Sequence, residues 1–243
     1  EYHRRNYEAA YTLWNAICDE NPSDVQALRC LSIACYSHMR DKPRALALLR
    51  RAVSLQPENK QLTWELAYLM GRMHVDPMET ARFLAESPVC DGRDDLALER
   101  ARALNLAGKW QEALALLTSR SFVPCEGGEH ANAEQYMFAH YALGRAALLE
   151  GDARAAAEHF RAAQKLPDNL GAGLWNEALL VPHKYYEGVC LRMLGDEEAA
   201  RACFRYVADM PKDFFSDMHL PELPCYQALA ARALGEEAVA LQL

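Results

Sequence analysis

The sequence predicts an all-α fold, an α-α superhelix in the form of a right-handed solenoid of about six helix pairs. Three observations predict it. First, the composition is 51% hydrophobic and 25% charged, rich in Ala and Leu and without Gly/Ser-rich or Gln/Asn-rich tracts, which favours folded helices over disorder. Second, an Ala followed four residues later by another apolar residue recurs at Ala10/Trp14, Ala45/Leu49, Ala81/Ala85, Ala113/Leu117, Ala156/Phe160 and Ala200/Phe204. The intervals between these alanines are 35, 36, 32, 43 and 44 residues. Third, Pro22, Pro57, Pro88, Pro167 and Pro211 follow five of the anchors, by 12, 12, 7, 11 and 11 residues, and each disfavours helical geometry in the residue before it.

Each repeat reads as two helices and a turn. Twelve residues before the anchors stand Ile33, Leu69, Ala101, Gly144 and Gly188, apolar or small, where two helices can approach closely. Five residues before the later anchors stand Gly108, Gly151 and Gly195, which end the first helix and permit a left-handed turn. Ile17, Ala52, Ala163 and Val207 extend the apolar stripe of the second helix. One repeat domain, 1–243, is expected, with a partial unit at about 1–22, units at 25–57, 61–88, 94–118, 133–167 and 177–211, and a partial cap at 224–243. Glu1 to Tyr11 enters directly into a helical pattern that lacks its partner helix, so a fragment of a longer chain is expected. The connections 119–132, 167–176 and 212–223 are longer than a helical turn needs and are expected to be extended loops.

In register, Tyr141-Ala-Leu-Gly144-Arg-Ala-Ala147, Gly151-Asp152, Ala156, Phe160, Ala163 and Pro167 resemble the tetratricopeptide repeat family, whose unit is about 34 residues long. The following unit, from Gly188 through Leu191, Gly195-Asp196, Ala200, Phe204 and Val207 to Pro211, resembles it again, and the resemblance covers nearly the whole chain. The third unit departs from the pattern, with Ala85 in place of a large residue. The segment from Leu166 to Gly173 and the helix after it also resemble the C-terminal repeat region of large bacterial proteins in which a carbohydrate-processing-like β-sandwich of unknown function precedes the helices. That likeness implies a bacterial, cytoplasmic chain and an accessory role.

Several function classes are disfavoured. The net charge of −8 repels polyanions, against general nucleic-acid or anionic-membrane binding. Charges interrupt every apolar run, so no stretch is expected to cross a bilayer. Cys18, Cys30, Cys35, Cys190 and Cys203, among eight cysteines, fall inside helical patterns and read as small buried thiols of a reducing compartment. Cys125, Glu126, Glu129 and His130 form the only dense cluster of ligand types, without zinc-site spacing, and read as an exposed polar loop. No nucleophile elbow or phosphate-binding glycine loop occurs, and His140, His159 and His183 stand at scattered registers, so no enzyme, metal or cofactor is expected.

Binding is the expected function. The tetratricopeptide resemblance implies a concave groove lined by the first helix of each pair, at positions fifteen, eleven, eight and seven before the anchor alanine. Arg102 and Asn105, Tyr141 and Arg145, and Tyr185 and Arg192 fall on those positions, with Phe138 on the same helix as Tyr141 and Arg232 on the final helix. Guanidinium groups suit carboxylates and tyrosines supply flat contact area, so the expected partner is a protein or peptide, either an acidic segment or another domain of the same parent chain. Intrahelical pairing competes with that reading, as Arg102 can meet Glu99 and Arg232 can meet Glu236. Self-association through exposed helices is the third reading.

Overall fold

The structure, a computed structural model, describes residues 6–124 and 130–242, apart from the side chains of 215 and 217. Among these residues the fold is all-α, with no strand. It comprises two units, Glu1–Gly108 and Lys109–Leu243.

The first unit contains α1 (Tyr7–Glu20), α2 (Val25–Ala34), α3 (Lys42–Leu55), α4 (Lys60–Arg72), α5 (Pro77–Glu86) and α6 (Asp94–Leu106). Helix α2 runs on as a π turn through Cys35–Met39. Asn6, Asp24, Asp41, Asn59 and Asp76 each accept a backbone N–H of the first turn that follows, satisfying donors a helix start leaves open. Leu28, Leu31, Cys35, Ala45, Leu49, Leu62, Leu66 and Met70 form the core of the α2–α4 stack. Arg29 of α2 donates from Nε to both carboxylate oxygens of Glu65 on α4, at 3.0 and 2.7 Å.

The second unit contains α7 (Trp110–Thr118), α8 (Ala131–Leu149), α9 (Ala153–Ala162), α10 (Val181–Met193), α11 (Glu197–Ala208), α12 (Phe214–His219), α13 (Leu223–Leu234) and α14 (Glu237–Ala240). The Gly-Asp pairs of the sequence make its turns. At Gly151 the backbone is left-handed, φ +85°, the Asp152 N–H reaches back to the Ala147 carbonyl at 2.9 Å, and the Asp152 carboxylate accepts the Ala155 N–H at 2.9 Å. One atom group thus closes α8 while the next opens α9. Gly195 and Asp196 repeat the arrangement between α10 and α11. In both units the anchor alanines are sealed: Ala45, Ala113, Ala156 and Ala200 are 0% exposed, and Ala10 and Ala81 are 3% exposed.

Three expectations about connections change. Residues 212–223 are not simply extended: α12 forms there, because the Asp213 carboxylate accepts the Ser216 N–H at 2.7 Å while the Ser216 hydroxyl accepts the Asp213 N–H at 2.8 Å. Glu177–Leu180 is a 3₁₀ turn, and α10 begins at Val181 with Pro182 in its first turn, where a missing N–H does no harm. The segments after α7 and after α9 close on each other: Phe122 N–H donates to the Asn169 carbonyl at 2.7 Å, and Asn169 Nδ2 donates to the carbonyls of Leu117 and Arg120. Gly171, φ +63°, lies so close that a Cβ would meet the Phe122 carbonyl oxygen at 2.3 Å. The segment Cys125 to Glu129, where most of the considered ligand cluster falls, lies outside the described residues.

Candidate functional site

The first helices of the second unit, α8, α10 and α13, are adjacent, with α10 in contact with both neighbours. They bring together four tyrosines: Tyr141 from α8, Tyr185 and Tyr186 from α10, and Tyr226 from α13. Tyr141 and Tyr186 ring centroids are 5.8 Å apart, Tyr185 and Tyr226 are 5.7 Å apart, and all these contacts are edge-on or tilted, as ring quadrupoles favour. The hydroxyls of Tyr141 and Tyr226 meet at 3.5 Å. Burial, followed by the neighbouring Tyr141 hydroxyl, pushes the Tyr226 phenol well above its ordinary range, so it stays protonated.

Arg145 completes the cluster. Its Nη1 donates to the Tyr186 hydroxyl at 2.6 Å and the Tyr141 hydroxyl at 3.3 Å, and its guanidinium lies 4.5 Å from the Tyr186 ring centroid. No carboxylate among the described residues pairs with it.

Beside the tyrosines a slot of about 350 Å³ opens between the three helices. Its walls are Met137, Phe138, Leu179, Pro182, Leu220 and the rings of Tyr141 and Tyr226, with Glu134 and Glu222 at its rim. Both carboxylates are exposed, and no cation among the described residues meets either. His183 lines the slot, is 4% exposed, and leaves its buried Nδ1 without a hydrogen-bond partner. Burial, with a smaller contribution from His140, holds its pKa down at about 4, so the imidazole is neutral near pH 7.

The other expected groove residues differ. Arg102 pairs with Glu99 at 2.5 Å, in the first unit, beside a cavity of about 230 Å³ lined by Gly71, Thr80 and Leu106. Asn105 is 2% exposed and packs inside that unit. Arg192 donates to the Glu197 carboxylate at 2.9 and 2.7 Å, and to the Ala233 carbonyl at 2.9 Å. Arg232 meets Glu237 at 3.3 Å instead of Glu236, which Arg205 holds. Phe138 is exposed on the slot wall, and Tyr185 is half-buried between Phe204 and Tyr226. The structure therefore brings Phe138, Tyr141, Arg145 and Tyr185 into one cluster, and Arg192 and Arg232 are occupied by their own chain.

Sequence reasoning missed Tyr186, Tyr226, His183, Glu134 and Glu222. A signal existed for one of them: Glu134, Phe138, Tyr141 and Arg145 are spaced four, three and four, a single helix face. The histidines were read singly, yet the Nδ1 atoms of His140 and His159 lie 3.0 Å apart across α8 and α9. Among the described residues no group of three or more His, Cys, Asp or Glu could hold a metal ion, and no helix is long and apolar enough to cross a membrane.

No family model matches the chain. Among solved structures it is similar to PilW, a widely conserved type IV pilus biogenesis factor, at 16% identity and a TM-score of 0.42, over 90% of this chain and 92% of that one. It is also similar to the human IFIT1 dimer with PPP-AAAA, at 16% identity and a TM-score of 0.45, over 98% of this chain and 53% of that one.

Proposed function

We propose that this chain is a non-catalytic interaction scaffold that binds a polypeptide segment along the α8, α10 and α13 face of its second unit. Arg145 carries the reading. A guanidinium that finds two phenol hydroxyls and an aromatic face, and no carboxylate among the described residues, is fixed in orientation while its charge remains unneutralised. Such a group suits an acidic side chain or a chain-terminal carboxylate, through charge-assisted hydrogen bonds stronger than neutral ones. The tyrosines around it present rigid surface at low entropic cost.

The test is selection of linear peptides from a displayed random library by the purified chain. Selected peptides are expected to carry a carboxylate. Arg145→Ala should weaken them about ten- to a hundredfold, the worth of a charge-assisted bond. Arg192→Ala, whose guanidinium Glu197 already holds, should change their affinity little. No selectable peptide, or equal binding by the Arg145→Ala chain, would contradict the proposal.

A further inference from the structure

The hydrogens of Arg145 are divided between its own chain and the outside. Nη1 gives one to the Tyr186 hydroxyl at 2.6 Å and the other to the Tyr141 hydroxyl at 3.3 Å. Among the described residues Nε and Nη2 have no partner, and neither is sealed from solvent. With Nη1 engaged, the end-on edge of the guanidinium is closed. The Nε/Nη2 edge is left, two parallel donors that match the two oxygens of a carboxylate. Tyr186 sets which edge is free. It reaches Arg145 from α10, its ring lies 4.5 Å from the guanidinium against 6.0 Å for Tyr141, and it stacks on the sealed Phe160 ring at 5.5 Å. Tyr141 stands four residues before Arg145 on the same helix, so only the Tyr186 hydroxyl ties the guanidinium to a second helix.

The charge balance then selects among oxyanions. Among the described residues Arg145 is the only cation that stands over the Tyr141 or Tyr186 ring. Lys184 of α10 is held by Glu187 at 3.4 Å, and Arg192 by Glu197. Glu134 and Glu222, exposed at the rim of the slot that Tyr141 and Tyr226 wall, add negative potential. One guanidinium neutralises one carboxylate. A phosphoryl group carries about −1.5 to −2 near neutral pH and would keep part of that charge beside aromatic walls. We propose that the site reads a carboxylate of the bound polypeptide, from an acidic side chain or the chain terminus, in preference to a phosphoryl group, through the Nε/Nη2 edge of Arg145. Tyr186 is its positioning residue, holding Nη1 so that this edge is presented. The inference rests on the scaffold reading above and specifies the group that reading recognises.

The experiment uses the full chain and the peptides recovered by the library selection, each remade with its acid converted to the amide and with phosphoserine in the acid's place. Amidating the side chain and the chain terminus in turn tells the two sources of carboxylate apart. The amide should bind about ten- to a hundredfold more weakly than the acid, and phosphoserine at least about tenfold more weakly. Tyr186→Phe keeps the ring and its stack on Phe160. It should weaken the acid form about tenfold and leave the weaker binding of the amide form unchanged, a coupling that a merely structural role would not produce. The Arg145 Nε–H resonance should shift with the acid peptide and not with the amide. A phosphoserine form that binds as tightly as the acid, or indifference to both amidations, overturns the inference. So does a Tyr186→Phe chain that binds the acid form unchanged, or that loses acid and amide forms equally. If the selected peptides need Arg145 but give any of these results, the inference falls and the scaffold reading stands; if no peptide is selected, both fall.

Discussion

The Phe204 ring fills the space a side chain on Gly188 would need: a Cβ there would stand 2.9 Å from its Cε1 atom. The same relationship recurs one repeat earlier, where a Cβ on Gly144 would meet the Phe160 ring at 2.8 Å. Both rings are sealed, and Phe160 stacks on Tyr186 with centroids 5.5 Å apart, so the repeat core directly supports the tyrosine that holds Arg145.

Gly188→Ala and Gly144→Ala should each destabilise the chain. Alanine gains about 1 kcal/mol of helix propensity, but overpacking a sealed ring costs about 1–3 kcal/mol. Denaturant midpoints should fall, and pairing Gly188→Ala with Phe204→Leu should recover part of the loss. A stabilised Gly188→Ala chain would mean that the ring moves freely.

Acid should loosen the second unit. Burial holds the pKa of His183 down at about 4, and burial followed by the neighbouring His159 does the same for His140. An unfolded histidine titrates near 6.5, so between those values the unfolded chain binds more protons and stability falls as pH falls. For His183 the loss from about pH 7 to about pH 5 is about 2 kcal/mol, with a smaller, solvent-screened share from His140. Chemical denaturation at the two pH values checks this. The chain with His183→Phe should lose much less between them.

Cysteine reactivity should follow burial. Cys225 is exposed, whereas burial, aided by Glu187, raises Cys190 and Cys203 to about 11. Among the cysteines of the described residues, a thiol reagent at neutral pH should label Cys225 first and leave Cys190 and Cys203 untouched until denaturant is added. All eight thiols should titrate after unfolding without a reductant; two or more missing would signal disulfides and an oxidising compartment.

The fold was legible because it is local. Ala156, Gly144, Gly151-Asp152 and Phe160 act through contacts within one repeat, and a repeated sequence pattern exposes such contacts directly. The α12 helix was not legible, since a single Asp213–Ser216 capping box in a proline-bounded loop creates it. The candidate site was legible in part: Tyr141, Arg145 and Phe138 follow from helix spacing. Tyr186 escaped because it stands next to Tyr185 in sequence, on the side of α10 that meets α8, and His183 because burial alone leaves its nitrogen without a partner. The partners of Arg192 and Arg232 could not be fixed from spacing, because turns at Gly195 and Gly235 carry Glu197 and Glu237 back to them.

Backbone and side-chain NMR of the full chain, titrated with a library-selected peptide, tests the central claim most directly. Perturbations should concentrate on Phe138, Tyr141, Arg145, Tyr186 and Tyr226, and leave Arg102 in the first unit unmoved. Saturable binding whose perturbations fall on Arg102 and the cavity beside it, or spread over helices away from α8, α10 and α13, would contradict the account.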